Sequence, residues 1–186
     1  MFPGIAFGAG VQDREVIIVP VGTVQADILE DLKEVLTDRF DLDFTIIEPI
    51  QVPANAYNPE RRQFYSGDIL EYLSGTYDNK KVLAVIDEDL YVPELNFIFG
   101  QAEIPGRCAI ISLTRLRQTY YGLPEDEAAF FERVVKEAVH ELGHTYGKEH
   151  CSDGTCVMFF SNSLQDTDKK SSYYCAKCII TETEGH

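Results

Sequence analysis

The run His140-Glu141-Leu142-Gly143-His144-Thr145-Tyr146-Gly147-Lys148-Glu149-His150 limits what this chain can fold into more than any other stretch. Two histidines four apart on a helix project from one face about a turn apart. Both imidazoles can then reach one metal ion, with the Glu141 carboxylate beside the first. A straight helix cannot supply a third ligand on the far side of that ion. The backbone must turn back, and Gly147 sits where a residue of positive φ would end the helix. His150 then arrives as third ligand. A bare H-E-x-x-H occurs by chance, but Gly147 and His150 bring five residues into register, which exposed helix histidines have no reason to satisfy.

Such a donor set supports hydrolysis by a zinc-bound water. Three neutral imidazoles leave the metal dipositive with one open position, and Glu141 is placed to act as general base and to pass the proton to a leaving amine. A second oxyanion donor is not specified; Arg115, Tyr120, Tyr121 and Tyr146 are candidates by residue type alone.

Four of the five cysteines follow the third histidine. Cys151, Cys156, Cys175 and Cys178 are spaced C-x4-C and C-x2-C, which suits one structural zinc better than two disulfides in a chain without an export signal. Two zincs per chain are expected, one catalytic and one structural. Cys108, in the run Cys108-Ala109-Ile110-Ile111, reads as a small buried hydrophobe.

The formal charge of −15 argues against nucleic acid and anionic membranes, because both need basic patches that release counterions. No apolar run reaches the length of a membrane span, and residues 1–7 lack the charged start of a secretory leader. A cytoplasmic monomer acting on a peptide or protein substrate is expected, without an inhibitory segment ahead of the first strand.

Along the chain, residues 15–21 read as a buried strand closed by Pro20 and Gly22. Thr23 is placed to cap a helix over 24–40, with Val24, Ile28, Leu32, Val35 and Leu36 at helical spacing. A strand over 43–48, a loop over 49–59, a helix over 61–73 ended by Gly75, and a strand over 82–86 follow. The β-α-β-α-β order implies a mostly parallel sheet. No glycine-rich phosphate loop follows any strand, so nucleotide chemistry lacks local support. Two further strands, 96–100 and 107–113, are joined too closely for a parallel crossover and should pair antiparallel or cross at a sheet edge. An exposed edge there can take an extended peptide by strand addition, and a covered edge strand without a ligand fits the same pattern. The metal helix should begin at Pro124, with Ala128, Phe131, Val135, Ala138 and Leu142 as its core stripe and Phe130 open to either face.

The segment His140 to His150, followed by Cys151, Cys156, Met158 and the Cys175-x2-Cys178 pair, resembles the archaemetzincins, a metzincin-clan zinc metallopeptidase family. The likeness extends upstream through Asp89-Leu90-Tyr91-Val92-Pro93, Leu95 to Gly100, and Ser112 to Leu116. It implies an α/β (α+β metzincin-like) fold: a mixed, mostly parallel sheet with an antiparallel edge strand, two main helices and the zinc helix. An upper subdomain would span 1–146. A small zinc-stapled lobe, 147–186, would carry the third histidine, the Met-turn and the four cysteines. By the same resemblance Met158 lies beneath the zinc, and Phe159 and Phe160 wall a specificity pocket. Phe160 stands where astacin-type metzincins carry a ligating tyrosine, so no tyrosine ligand is expected. The readings set beside a peptidase are a zinc-bearing peptide-binding module with little hydrolysis and a hydrolase of another amide. Intact Glu141 favours hydrolysis, because a binding protein needs no carboxylate beside an open metal position.

Overall fold

A computed structural model describes residues 14–40 and 42–180; residues 1–7, read above for a secretory leader, and the outer ends of the two expected lobes lie outside them. Strands β1 (Glu15–Val21), β2 (Asp43–Ile46), β5 (Lys81–Ile86), β7 (Gly100–Ala102) and β8 (Cys108–Ser112) form one sheet in the order β2-β1-β5-β8-β7. The first four strands run parallel and β7 lies antiparallel on β8, as the short connection requires. The central strands are apolar almost throughout because both faces are covered.

Side-chain alternation sorts them between two cores. Val16, Ile18, Leu83, Val85, Ala109 and Ile111 pack with helices α1 (Ala26–Arg39) and α3 (Glu127–Thr145). Ile17, Val19, Val82, Ala84, Cys108 and Ile110 pack with α2 (Ser66–Thr76) on the opposite face. Cys108 is thus the buried small residue its context implies. The mixed sheet, its antiparallel edge strand and the three helices are the expected architecture.

Several local expectations are overturned. A small second sheet, ordered β3-β4-β6, joins Tyr57–Asn58, Gln63–Tyr65 and Leu90–Tyr91. It takes the start of the helix expected over 61–73, which begins only at Ser66. Pairing of Phe64 with Leu90 and the turn at Arg62, φ 55°, outweigh local helix propensity there. Gly75 lies inside α2 and does not end it. Residues 96–99 are not a strand: side chains take the carbonyls at its start, Arg61 donating to Leu95 O and Asn96 O and Gln63 Nε2 to Asn96 O at 2.8 Å, and Ile98 makes only an isolated bridge to Leu90. Thr23 caps nothing; Gln25 precedes α1. At α3 the cap is Asp126, whose Oδ1 accepts from Ala129 N at 2.9 Å, leaving Pro124 outside the helix and Ala128 exposed. Phe130 belongs to the core. No helix among the described residues is long and apolar enough to cross a membrane.

Candidate metal centre and cleft

Buried residues of α3 run without a break from Arg133 to Thr145, so the helix is embedded between the sheet and the chain that follows it. Its end is tied down by donors from two other elements. Lys81 Nζ reaches Thr145 O at 3.0 Å, and Gly106 N reaches the same carbonyl at 3.2 Å. The chain then turns through Gly147 at φ +81°, as a side-chain-free αL residue permits.

That turn brings the three histidines together. His140 Nε2 and His144 Nε2 stand 3.1 Å apart, and the His150 ring lies 4.8 Å from that of His144 and 5.4 Å from that of His140. Tetrahedral zinc–nitrogen bonds of about 2.0–2.1 Å put neighbouring ligand nitrogens about 3.3 Å apart, so the set fits zinc. Each helical imidazole is oriented through its other nitrogen, His140 Nδ1 on Val157 O at 2.8 Å and His144 Nδ1 on Lys148 O at 2.6 Å. A carbonyl on Nδ1 fixes the tautomer that leaves Nε2 a free lone pair. Protonation is disfavoured as well: burial, then the buried Lys170 ammonium, holds His140 well below its ordinary range, and burial brings His144 to about 4.

Glu141 is 4% exposed and lines the cleft. Burial first, and then the Glu137 carboxylate, raise its pKa well above the usual carboxylate range. It packs on the edge strand without clearance, since a Cβ on Gly100 would stand 2.6 Å from Glu141 Cγ and 2.7 Å from Oε1. Gly143 answers a similar demand below: a Cβ there would lie 2.6 Å from Met158 Sδ. Met158, fully buried, therefore packs directly against the α3 backbone at Gly143.

The four late cysteines converge too. Cys151 Sγ and Cys175 Sγ are 3.8 Å apart, the separation that tetrahedral zinc–sulfur bonds of about 2.3 Å impose. No disulfide joins them. Backbone N–H groups of Asp153 and Cys175 point at Cys151 and Cys156 sulfurs, and the four ligand atoms lie within 4.8 Å of one another. This cluster is wired to the histidines: Val157, whose carbonyl holds His140, follows Cys156, while Cys151 N donates to Met158 O at 2.9 Å.

The cleft has a volume of about 380 Å³; β7 and residues 95–99 form one wall, α3 its back. Phe160 lines it and meets the His150 ring at 4.9 Å; Phe159 is not among its lining residues. Nor are the four residues named as oxyanion candidates. Arg115 is bound bidentately to Asp89, at 2.7 Å for each bond, and stacks on Phe97 and Tyr120. Sequence reasoning missed Gly100, Glu137, Ser161 and Lys170. Gly100 carried a readable signal, a glycine closing an apolar run, which marks close backbone approach. The others depend on contacts no local pattern encodes.

A helix bearing two of three converging histidines, packed on a mixed sheet and followed by a glycine turn to the third, is the arrangement of a zinc metalloprotease. The sequence model of peptidase family M54 matches residues 15–182. The chain belongs to that family, the archaemetzincins. It is 44% identical over 169 residues to the archaemetzincin of Methanocaldococcus jannaschii, covering 91% of this chain and 93% of that one. The archaemetzincin of Pyrococcus abyssi is 42% identical over 172 residues, covering 88% and 92%. Among solved structures, archaemetzincin from Archaeoglobus fulgidus, complexed with malonate, superposes with a TM-score of 0.80 at 38% identity, covering 90% and 99%. That from Methanopyrus kandleri gives 0.79 at 34% identity, covering 95% and 97%.

Proposed function

We propose that this chain hydrolyses peptide bonds, with Glu141 as general base and His140, His144 and His150 holding a catalytic zinc. In this reading Cys151, Cys156, Cys175 and Cys178 hold a second, structural zinc, and Met158 is the Met-turn residue. The observation that carries it is the pair of Nε2 atoms 3.1 Å apart, each imidazole fixed by a carbonyl on its other nitrogen, with a buried glutamate beside them. Zinc at the histidines would acidify a bound water and polarise the scissile carbonyl. Glu141 takes the proton from the attacking water and delivers it to the leaving nitrogen. Burial, reinforced by the Glu137 carboxylate, makes its carboxyl a better acceptor than an exposed one, because its neutral form is favoured.

Substrate orientation follows from the sheet edge. One side of β7 pairs with β8, and the strand lines the cleft, so an extended peptide can add to its open side antiparallel. Phe160 closes the opposite side. The two lobes, 1–146 and 147–186, meet along this cleft, and the acidic chain works as a cytoplasmic monomer on peptides without nucleic acid or membrane partners.

The test is zinc-loaded protein incubated with a diverse peptide library, beside Glu141→Gln. The variant keeps the imidazoles and the shape of the side chain, so it should retain zinc and lose about 100-fold or more in rate. Equal rates would remove Glu141 from its role. Binding without cleavage by the parent would favour the peptide-binding module.

A further inference from the structure

Two polar groups in the cleft neither hold the metal nor transfer the proton in the reading above. Glu137 stands one helical turn ahead of Glu141, is 3% exposed and lines the cleft. Its Oε1 takes the fully buried Lys170 ammonium at 3.0 Å and the Thr167 hydroxyl at 3.2 Å. Its Oε2 takes no hydrogen bond among the described residues. Ser161, directly after Phe160, lines the same cleft, and its Oγ is buried with no partner. A buried hydroxyl without a partner is costly and marks a place where a ligand atom completes the set.

Their position relative to the scissile bond can be read from the chain. Gly100 packs on Glu141, and Gly106 reaches Thr145, so the edge strand and its continuation run the same way as α3. An antiparallel peptide runs the opposite way, and its C-terminal half leaves past Glu137.

We propose that Glu137 and Ser161 form a polar subsite for the substrate side chain just after the scissile bond, and that it reads a carboxamide, glutamine or asparagine. This rests on the peptidase reading. The carboxamide N–H donates to Glu137 Oε2 and its carbonyl accepts from Ser161 O–H. An aliphatic side chain would leave both protein groups unpaired, and a carboxylate would face Glu137. A cation is disfavoured because Lys170 already neutralises that carboxylate, leaving surplus positive charge buried beside the metal.

Succinyl hydroxamates test this, since the chelating group fixes register on zinc without cleavage. Four probes carry carboxamidoethyl, isobutyl, aminobutyl or carboxyethyl at the adjacent position, and their Kd values are measured by calorimetry on the zinc-loaded protein. The carboxamide should bind about 10-fold tighter than isobutyl, the order of discrimination expected when hydrogen-bonding groups are otherwise left unpaired. Ser161→Ala should erase most of that preference with an unchanged or raised unfolding temperature, because the hydroxyl removed has no partner in the free protein. A preference for any other probe, or one that survives Ser161→Ala, overturns the subsite. If the probes show no preference while the parent cleaves peptides, the subsite fails and the peptidase stands. If the carboxamide is preferred and no peptide is cleaved, the peptidase reading fails and the selectivity stands.

Discussion

Replacing Gly100 by alanine adds one methyl group to the strand edge facing the general base. The added Cβ would sit 2.6 Å from Glu141 Cγ, 2.7 Å from Glu141 Oε1 and 2.8 Å from the Ile110 carbonyl oxygen. Carbon contacts relax near 3.5–4.0 Å, so about 1 Å of separation must be found. The strand cannot yield all of it, because Gly100 is paired antiparallel with Ile111 and the Ile110 carbonyl stands behind it. Glu141 therefore moves. A misplacement of about 1 Å at a reacting group costs on the order of 100-fold in rate, while overpacking costs about 1–3 kcal/mol of stability. The histidines keep their carbonyl partners, so zinc content should not change. Steady-state peptide hydrolysis, elemental zinc analysis and urea unfolding should show kcat down about 100-fold, zinc unchanged and a modestly lower midpoint. Gly75→Ala is the control, since a Cβ there meets nothing within 4 Å. Parental kcat in Gly100→Ala, with Glu141 unmoved in a crystal structure, would refute the positioning role of this glycine.

Elemental analysis should return two zincs per chain. Mild chelation should strip the histidine zinc first, because a three-ligand site has an open position and a four-thiolate site does not; one zinc with disulfides in the intact mass would contradict this. Cys178→Ser should weaken zinc at the histidines although Cys178 is not one of that set, since the cysteine cluster is joined through Val157 to His140 and through Cys151, which follows His150, to Met158. An unchanged affinity at that site, with the structural metal gone, would show that the two centres are independent. In metal-free protein, His144 is depressed from 6.5 to about 4, and His140 and His150 are also lowered. The unfolded chain then binds protons first, so their contribution is present above pH 6.5 and lost as pH falls towards 4. Glu141, raised, has the opposite sign and loses its contribution as pH rises above 4.5, but one carboxyl opposes three imidazoles. Urea midpoints of chelator-treated protein should therefore fall from pH 7 to pH 5, and a flat or rising profile would contradict this.

The sequence by itself determined the features that depend on covalent spacing. Residues i and i+4 of a helix share a face whatever surrounds them, so His140 and His144 could be paired before any coordinates, and Gly147 could be read as the turn that releases His150. The same holds for β1 and β5, apolar runs that only a sheet covered on both faces can bury, whereas the parallel pairing of β8 with β5 was not legible. What needed the tertiary structure were pairings between distant segments. Local propensity favoured a helix at Arg61 and a strand at Phe97, yet Phe64 pairs with Leu90, and Arg61 and Gln63 occupy the carbonyls of residues 95 and 96. Glu137 read as one more acidic residue on a helix until Lys170 and Thr167, 33 and 30 positions on, were seen to enclose it. Ser161 likewise carried no pattern. An unpaired hydroxyl is defined by what fails to surround it, and only the folded chain decides that.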